Sequence, residues 1–436
     1  MDLTFRLANF LGQARTHGRS AAWALAEQGA NPLVNLALTP YLLARLGRQD
    51  FGVWTFALTL VSMSQLASFG AGVAATKHVS ADLGAGNLTQ TVAAIRAALT
   101  VAMVGGCVAA GIAWLFANPI AAGLFGRMGP AHSIATVIAL CGLAVAIQEI
   151  DNVFAGSLRG AERFDLCAKI EVPVRLAMGC VLAYLGSMIA RVPSLLVALV
   201  AMMALKSALK AWAVACLFQN RICCLPSFVW APLRRVLGFG LWQWLQTAGT
   251  VFFATADQLL VGGLLGAAAL ARYSVCLQIA QYVHMVPSVM MQVIFPRLSA
   301  LGQRVDPARG NRILRSTTIV AVAIALALGL PIMLLGRWLL SVWIGAEFAA
   351  DNHWLLIVLV AVHITLAFNI GSYFVLLGSG RAARSAAVVL LAGTAQFVFA
   401  FVAAPYGIIA VACNRFVYSF LTAWLYKAAR YPIHAR

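Results

Sequence analysis

Residues 46–60 read LGRQDFGVWTFALTL, and residues 265–279 read LGAAALARYSVCLQI. The two stretches lie 219 residues apart, and each begins with a Leu-Gly pair followed by an apolar and then an aromatic position. Two later landmarks keep nearly the same spacing: a second Leu-Gly pair, at 83–84 and 301–302, and an arginine, Arg96 and Arg315. A repeat of this length predicts a duplicated half, so we expect two related lobes.

The composition predicts that lipid is the solvent of this chain. Sixty-two per cent of the residues are apolar and 10% are charged, with a mean hydropathy of +0.89, whereas about a quarter of a soluble domain is charged. A membrane-spanning helix needs roughly 20 apolar residues. The predicted spans are 21–46, 52–76, 91–117, 134–158, 167–190, 193–219, 236–264, 269–295, 313–336, 353–377, 384–403 and 407–427.

We therefore predict an all-α integral membrane protein, with about twelve transmembrane helices in two six-helix lobes related by a pseudo-twofold repeat. A transmembrane β-barrel is excluded because runs such as 319–335 do not alternate apolar and polar residues. The predicted organisation is an N-terminal cytoplasmic or interfacial segment (1–20), an N-lobe with spans one to six (21–220), a cytoplasmic linker (221–235) and a C-lobe with spans seven to twelve (236–436).

The charges predict the orientation. With both termini on one side, 24 of the 31 Lys and Arg residues fall on that side, six fall on the opposite side and one lies within the last span. The positive-inside rule then places both termini in the cytoplasm. This bias accounts for most of the net charge of +18. We expect no nucleic-acid partner, because reading bases needs a basic soluble face that the sequence lacks.

A few charged residues fall inside the predicted spans, where each costs about 2.5–3.5 kcal/mol on insertion scales unless it is paired. They form either structural ion pairs or part of a water-filled cavity. Asp151 and Arg175 are expected at similar depth, and Asp257 is expected near Arg415 or Arg272. The cations are Arg175, Lys206, Lys210 and Arg415, and the carboxylates are Glu27, Glu149, Asp151 and Asp257.

The sequence gives no reason to expect an enzyme, a cofactor or a bound metal. No predicted loop is long enough to form a domain outside the membrane, and the histidines form no acid–base pair at usable spacing. No phosphate-binding Gly-Lys-Ser/Thr motif is present, so we expect no nucleotide. The nine cysteines show neither a CxxC motif nor a metal-binding spacing with histidine.

Several segments resemble the polysaccharide (O-antigen) flippases of the multidrug/oligosaccharidyl-lipid/polysaccharide (MOP) exporter superfamily. The matching segments are LTPYLLARLGRQDFGVW (38–54), SFGAGVAATKHVS (68–80), SLRGAERFDL (157–166) and ADQLLVGGLLGAAALARYSV (256–275). The resemblance implies a protein of the bacterial inner membrane that moves undecaprenyl-diphosphate-linked oligosaccharide units outward by alternating access. These units would serve O-antigen, exopolysaccharide or capsule synthesis, with polysaccharide polymerase and assembly proteins as partners.

The resemblance also implies roles for the in-span charges. Lys206, Lys210, Arg175 and Arg415 would hold the anionic diphosphate through charge-assisted hydrogen bonds. Asp257, Asp151, Glu149 and Glu27 would line the cavity or bind a coupling ion. The alternative is an ion-coupled exporter of organic cations, of the multidrug and toxin extrusion (MATE) type. A lipid II flippase and a membrane polysaccharide enzyme are further alternatives.

Overall fold

The computed structural model describes residues 34–124, 130–189, 191–219, 224–300, 307–378 and 382–429. Within those ranges the chain forms helices joined by short turns and no β-strand, which confirms the predicted all-α fold. The helices are α1 (34–62), α2 (Ala71–Gly84), α3 (Leu88–Leu115), α4 (Ala117–Leu124), α5 (Ala131–Gly160), α6 (Phe164–Met188), α7 (Val192–Leu217), α8 (Trp230–Leu260), α9 (Ala267–Ala300), α10 (Pro307–Trp343), α11 (Ala346–Gly378), α12 (Ala382–Ala403), α13 (Ile408–Thr422) and α14 (Trp424–Ala429).

Most of these helices are long enough to cross a bilayer. In the described part of the chain, seven helices are both long and apolar enough, or eight if α1 and α2 form one bent span. Predicted spans three to twelve each coincide with a helix: α3, then α5 to α12, and finally α13 with α14. Helix α6 is not among the seven, and it carries four charged side chains in its first twelve residues.

The second predicted span, 52–76, is wrong in its course and in its end. Helix α1 ends at residue 62, a 3-10 turn covers Met63–Leu66, and the chain bends by 46° before α2 continues to Gly84. Phe69 (φ 45°) and Gly70 (φ 72°), between the 3-10 turn and α2, have left-handed backbone conformations that depart from the right-handed helical path at this bend. The first predicted span begins at 21, and its residues before 34 lie outside the described ranges.

The repeated stretch has the same backbone feature in both copies. Gly47 (φ 77°) and Gly266 (φ 91°) are both left-handed, a conformation that glycine adopts without steric cost. In the second copy α8 passes into a π-helical turn, Val261–Leu265, and α9 begins directly after the glycine. The aromatic landmarks Trp54 and Tyr273 are both buried. Gly266 separates the π-helical turn from α9, whereas Gly47 lies within α1, so the two copies share the left-handed glycine and the buried aromatic side chain.

The chain divides into two compact units, Met1–Ala248 and Gly249–Arg436, with the division inside α8. In the first unit α5 packs against α2, α3 and α7. Small residues allow close approach there, since a Cβ on Gly160 of α5 would lie 2.6 Å from the backbone oxygen of Thr76 on α2. In the second unit α11 packs against α9, α10 and α13. The predicted lobe and linker boundaries stay a prediction.

Residues of the predicted linker are fastened to α3. The Arg96 side chain donates to the backbone oxygens of Leu225 (3.2 Å) and Pro226 (3.4 Å). Thr100 Oγ1 donates to the backbone oxygen of Ser227 and accepts from its backbone N–H, both at 2.8 Å. Arg96, one of the repeated landmarks, thus satisfies backbone carbonyls that no helix or strand pairs.

The first half of α8 is likewise fastened to the first unit. Arg235 makes a bidentate ion pair with the buried Asp82 of α2, with contacts of 2.7 and 2.9 Å. Farther along α8, Trp244 Nε1 donates to the backbone oxygen of Leu66 at 2.9 Å and its ring stacks on Phe69. These contacts explain why the first unit extends to Ala248.

We predict that Arg235→Asp destabilises the first unit by placing a second carboxylate beside Asp82. The loss should be about 1 kcal/mol or more, because Asp82 is buried although 40% of the Arg235 side chain is exposed. The double variant Asp82→Arg with Arg235→Asp should recover most of the thermal unfolding midpoint, and Arg234→Asp is the neighbouring exposed control. A double variant no more stable than Arg235→Asp would contradict a stabilising role for this pair.

Candidate functional site

Three helices of the first unit bring five charged side chains together. Asp151 lies on α5, Glu171 and Arg175 lie on α6, and Lys206 and Lys210 lie on α7. The two residues on α6 and the two on α7 are each four apart, so each pair occupies one face of its helix. We call these five residues the α5–α7 charge cluster.

The two lysines bridge the two carboxylates. Lys206 Nζ lies 3.1 Å from Asp151 Oδ2 and 3.3 Å from Glu171 Oε1. Lys210 Nζ lies 3.0 Å from the same Asp151 oxygen and 2.6 Å from Glu171 Oε2. All four side chains are at least nine-tenths buried. Since an unpaired buried charge is costly, each of the four groups stabilises the charged form of its partners.

Arg175 lies at the edge of this arrangement. Its Nη2 donates to Glu171 Oε1 at 2.6 Å, and 24% of its side chain is exposed, more than for any other member of the cluster. Its Nε makes no hydrogen bond with any described residue. With every group ionised, three cations face two carboxylates, so the five side chains together have a net charge of +1, and Arg175 is the most exposed of them.

The sequence predicted four of the five members and missed Glu171. Glu171 lies near the charged start of α6, inside the fifth predicted span, 167–190. Its spacing of four residues from Arg175 was the signal that could have identified it. The expected pairing also differs, because Arg175 bonds Glu171 whereas Asp151 contacts both lysines.

Glu149 lies apart from the cluster on α5. It is 1% exposed, and neither carboxyl oxygen makes a hydrogen bond in the described part of the chain. Residues two apart on a helix point in nearly opposite directions, so Glu149 and Asp151 do not share a face. Glu27, the remaining predicted carboxylate, lies outside the described residues.

The second unit holds a separate buried pair. Asp257 of α8 accepts a short hydrogen bond from the Tyr273 hydroxyl of α9, and its Oδ2 lies 3.1 Å from Arg415 Nη1 of α13. The Asp257 side chain is fully buried and that of Arg415 is 14% exposed. Of the two cations expected near Asp257, the structure thus brings Arg415 to it. The remaining oxygen, Oδ1, has no hydrogen-bond partner among the described residues, and Asp257 lines a narrow crevice with Gln396 and Phe397.

The described residues include no group of three or more His, Cys, Asp or Glu side chains that could hold a metal ion. What the two sites offer instead is paired charge: a cluster with one excess positive charge in the first unit, and a balanced Asp–Arg pair in the second. Of these two sites, the α5–α7 charge cluster can attract an anion while its ion pairs stay intact. Arg415 would first have to release Asp257.

We predict that Lys210→Met strongly destabilises the protein, because it leaves Asp151 and Glu171 short of a buried cation. Breaking such a buried pair typically costs about 3–5 kcal/mol. Lys169→Met is the matched control: it removes a lysine that contacts Asp165 at 3.6 Å with 53% of its side chain exposed, so its cost should stay below about 1 kcal/mol. Thermal unfolding in detergent measures both. Equal midpoints for the two variants would contradict a structural role for Lys210.

The fold matches solved transporter structures along nearly the whole chain. An inward-facing multidrug resistance transporter of the MATE family, in the MOP superfamily, superposes with a TM-score of 0.72 over 93% of this chain and 97% of that one, at 16% identity. A MOP superfamily transporter from Pyrococcus furiosus, described as having a binding pocket of reversed polarity, gives a TM-score of 0.59 over 95% and 93%, at 15% identity. At these identities the matches show the fold.

The sequence comparisons match a family and a relative whose names refer to polysaccharides. A Shigella flexneri protein named as a candidate O-antigen transporter is 20% identical over 349 residues, which cover 77% of this chain and 78% of that protein. The family model described as "Polysaccharide biosynthesis protein" matches residues 42–351. Family and fold agree on a transport protein rather than an enzyme, as the sequence predicts. Because the match covers more than two thirds of the chain, this protein belongs to the polysaccharide biosynthesis protein family, with the fold of MOP-superfamily transporters.

Proposed function

We propose that the protein moves polyprenyl-diphosphate-linked oligosaccharide units across the bacterial inner membrane by alternating access. The proposal includes the orientation expected from the charge bias, with both termini in the cytoplasm. The glycan units would supply O-antigen, capsule or exopolysaccharide synthesis, with polymerase and assembly proteins as downstream partners. Membership of the polysaccharide biosynthesis family and the O-antigen transporter relative support this substrate class.

The observation that carries the proposal is the excess positive charge of the α5–α7 charge cluster. A diphosphate linking a lipid to a sugar is an anion with several acceptor oxygens, and arginine binds such groups through two N–H donors at once. Arg175 has the donor for this, since its Nε makes no hydrogen bond within the described chain. The same excess charge opposes the binding of organic cations, which disfavours the drug-exporter alternative.

The remaining predicted charges take different parts in this proposal. Lys206 and Lys210 contribute positive charge next to Arg175, while their direct contacts are with the two carboxylates. The charge of Arg415 is balanced by Asp257, so we expect Arg415 to contribute less than Arg175 to diphosphate binding. For a coupling ion, the buried carboxylates with an oxygen free of hydrogen bonds in the described residues are Glu149, Asp151 and Asp257. Glu27 is kept as a fourth candidate from the sequence.

We expect Arg175→Gln to abolish most transport while the protein still accumulates in the membrane. Loss of a charge-assisted hydrogen bond removes about 1.5–3 kcal/mol, or roughly tenfold or more in anion affinity. The measurement is surface polysaccharide in cells that depend on the variant, normalised to protein level. Arg191→Gln, at the exposed N-terminal cap of α7, is the control. Full polysaccharide with Arg175→Gln would contradict the role of this arginine.

Purified protein in liposomes separates the proposed substrate class from the alternative. We expect a lipid-linked oligosaccharide with a diphosphate group to be translocated, and an ethidium-like cation not to be moved. The readout is accessibility of the glycan to a lectin or glycosidase added outside the vesicles, beside dye efflux. Cation efflux without glycan translocation would identify an organic-cation exporter and overturn the proposal.

A further inference from the structure

We propose that Glu171 competes with the substrate for the anion site. When no substrate is bound, its carboxylate pairs with the cations of the α5–α7 charge cluster. The substrate diphosphate then displaces it from Arg175. The inference rests on the proposed function and deepens it, because it states how the affinity of that same site is set. Glu171 would then act as a specificity-determining residue rather than as scaffold alone.

The contacts of Glu171 are the first argument. It is the one member of the cluster that contacts all three cations: Oε1 accepts from Arg175 at 2.6 Å and lies 3.3 Å from Lys206, and Oε2 lies 2.6 Å from Lys210. Asp151, by contrast, contacts only the two lysines. The Glu171 carboxylate, which contacts all three cations, therefore lies where an added anion would meet the largest number of hydrogen-bond donors.

The geometry of Arg175 is the second argument. A guanidinium has five N–H donors in a fixed plane and can serve two acceptors at once. Glu171 bonds it through Nη2, and Nε has no hydrogen-bond partner in the described chain. Nε is itself buried, so a phosphate oxygen that enters the cluster as far as Nε gains a donor that Glu171 does not use, before the contact with Glu171 is released. The displaced carboxylate still has Lys206 and Lys210 as partners, so it is not left unpaired.

The charge balance is the third argument. With Glu171 ionised the cluster has a net charge of +1, and without its charge the cluster would have +2. Contact between opposite charges is strong where water is excluded, and a transport site must hold its cargo loosely enough to release it. An internal carboxylate that returns to Arg175 helps expel the anion. Removing the carboxylate should therefore tighten binding and slow release.

The test measures the affinity of purified full-length protein for inorganic pyrophosphate at fixed ionic strength, by calorimetry. Competition predicts that Glu171→Gln binds pyrophosphate about tenfold tighter or more, since one negative charge in contact with all three cations is lost. Glu171→Asp, which keeps the charge, should stay close to wild type. In vesicles Glu171→Gln should lower both the half-saturating concentration of lipid-linked oligosaccharide and the maximal rate. A role in scaffolding alone predicts weaker binding instead.

Asp165→Asn is the matched control. It removes a carboxylate from the same helix, α6, outside the cluster, where Asp165 pairs with Arg163 and Lys169, and it should leave pyrophosphate affinity unchanged. If Glu171→Gln alone does not fold, Lys206→Met is compared with and without Glu171→Gln. The added substitution should again tighten binding.

The outcomes separate this inference from the proposed function. Pyrophosphate binding that weakens or stays unchanged in folded Glu171→Gln overturns the inference and leaves the proposed anion site intact. Absence of pyrophosphate binding in wild type and in every variant overturns the anion site, and the inference with it.

Discussion

The structure depends on neutralising charges that a membrane-spanning helix cannot leave unpaired. Asp151, Lys206 and Lys210 are buried in helices of a chain whose solvent is lipid, where a lone ionised group is costly. Their mutual contacts, together with Glu171, link α5, α6 and α7 at one level of the first unit. In the second unit Asp257, Tyr273 and Arg415 link α8, α9 and α13 in the same way. Helix packing and charge pairing therefore constrain each other.

The repeated stretch has a left-handed glycine in both copies, whereas the charged residues differ between them. Gly47 and Gly266 both have a left-handed backbone conformation, and the aromatic side chains that follow them, Trp54 and Tyr273, are buried in both copies. The charges do not repeat. Shifted by 219 residues, the positions of Asp151, Glu171, Lys206, Lys210 and Asp257 hold Ile370, Leu390, Leu425, Ala429 and Leu38. The first unit therefore contains a cluster with one excess positive charge, and the second contains a balanced pair.

Side chains of the first unit hold the described residues that precede α8 and the start of α8 itself. Arg96 and Thr100 hold the backbone of the segment Leu225–Ser227, and Asp82 holds Arg235 at the start of α8. A linker whose polar backbone is satisfied by one unit has little freedom left. The contacts of Arg235 and Trp244 hold the first half of α8 in the first unit.

The sequence by itself determined the lipid solvent and the all-α class. It also predicted a duplication and picked out most of the charged residues inside the spans. These follow from composition and from spacing along the chain, as in the Leu-Gly pairs and the in-span positions of Lys206, Lys210 and Asp257. It could not show that the chain bends between α1 and α2, at Phe69 and Gly70. Nor could it show that Arg175 pairs with Glu171 rather than with Asp151. Those outcomes depend on how helices far apart in sequence are rotated and set in depth against one another. Only the tertiary structure decides this, because an ion pair forms between side-chain atoms about 3 Å apart.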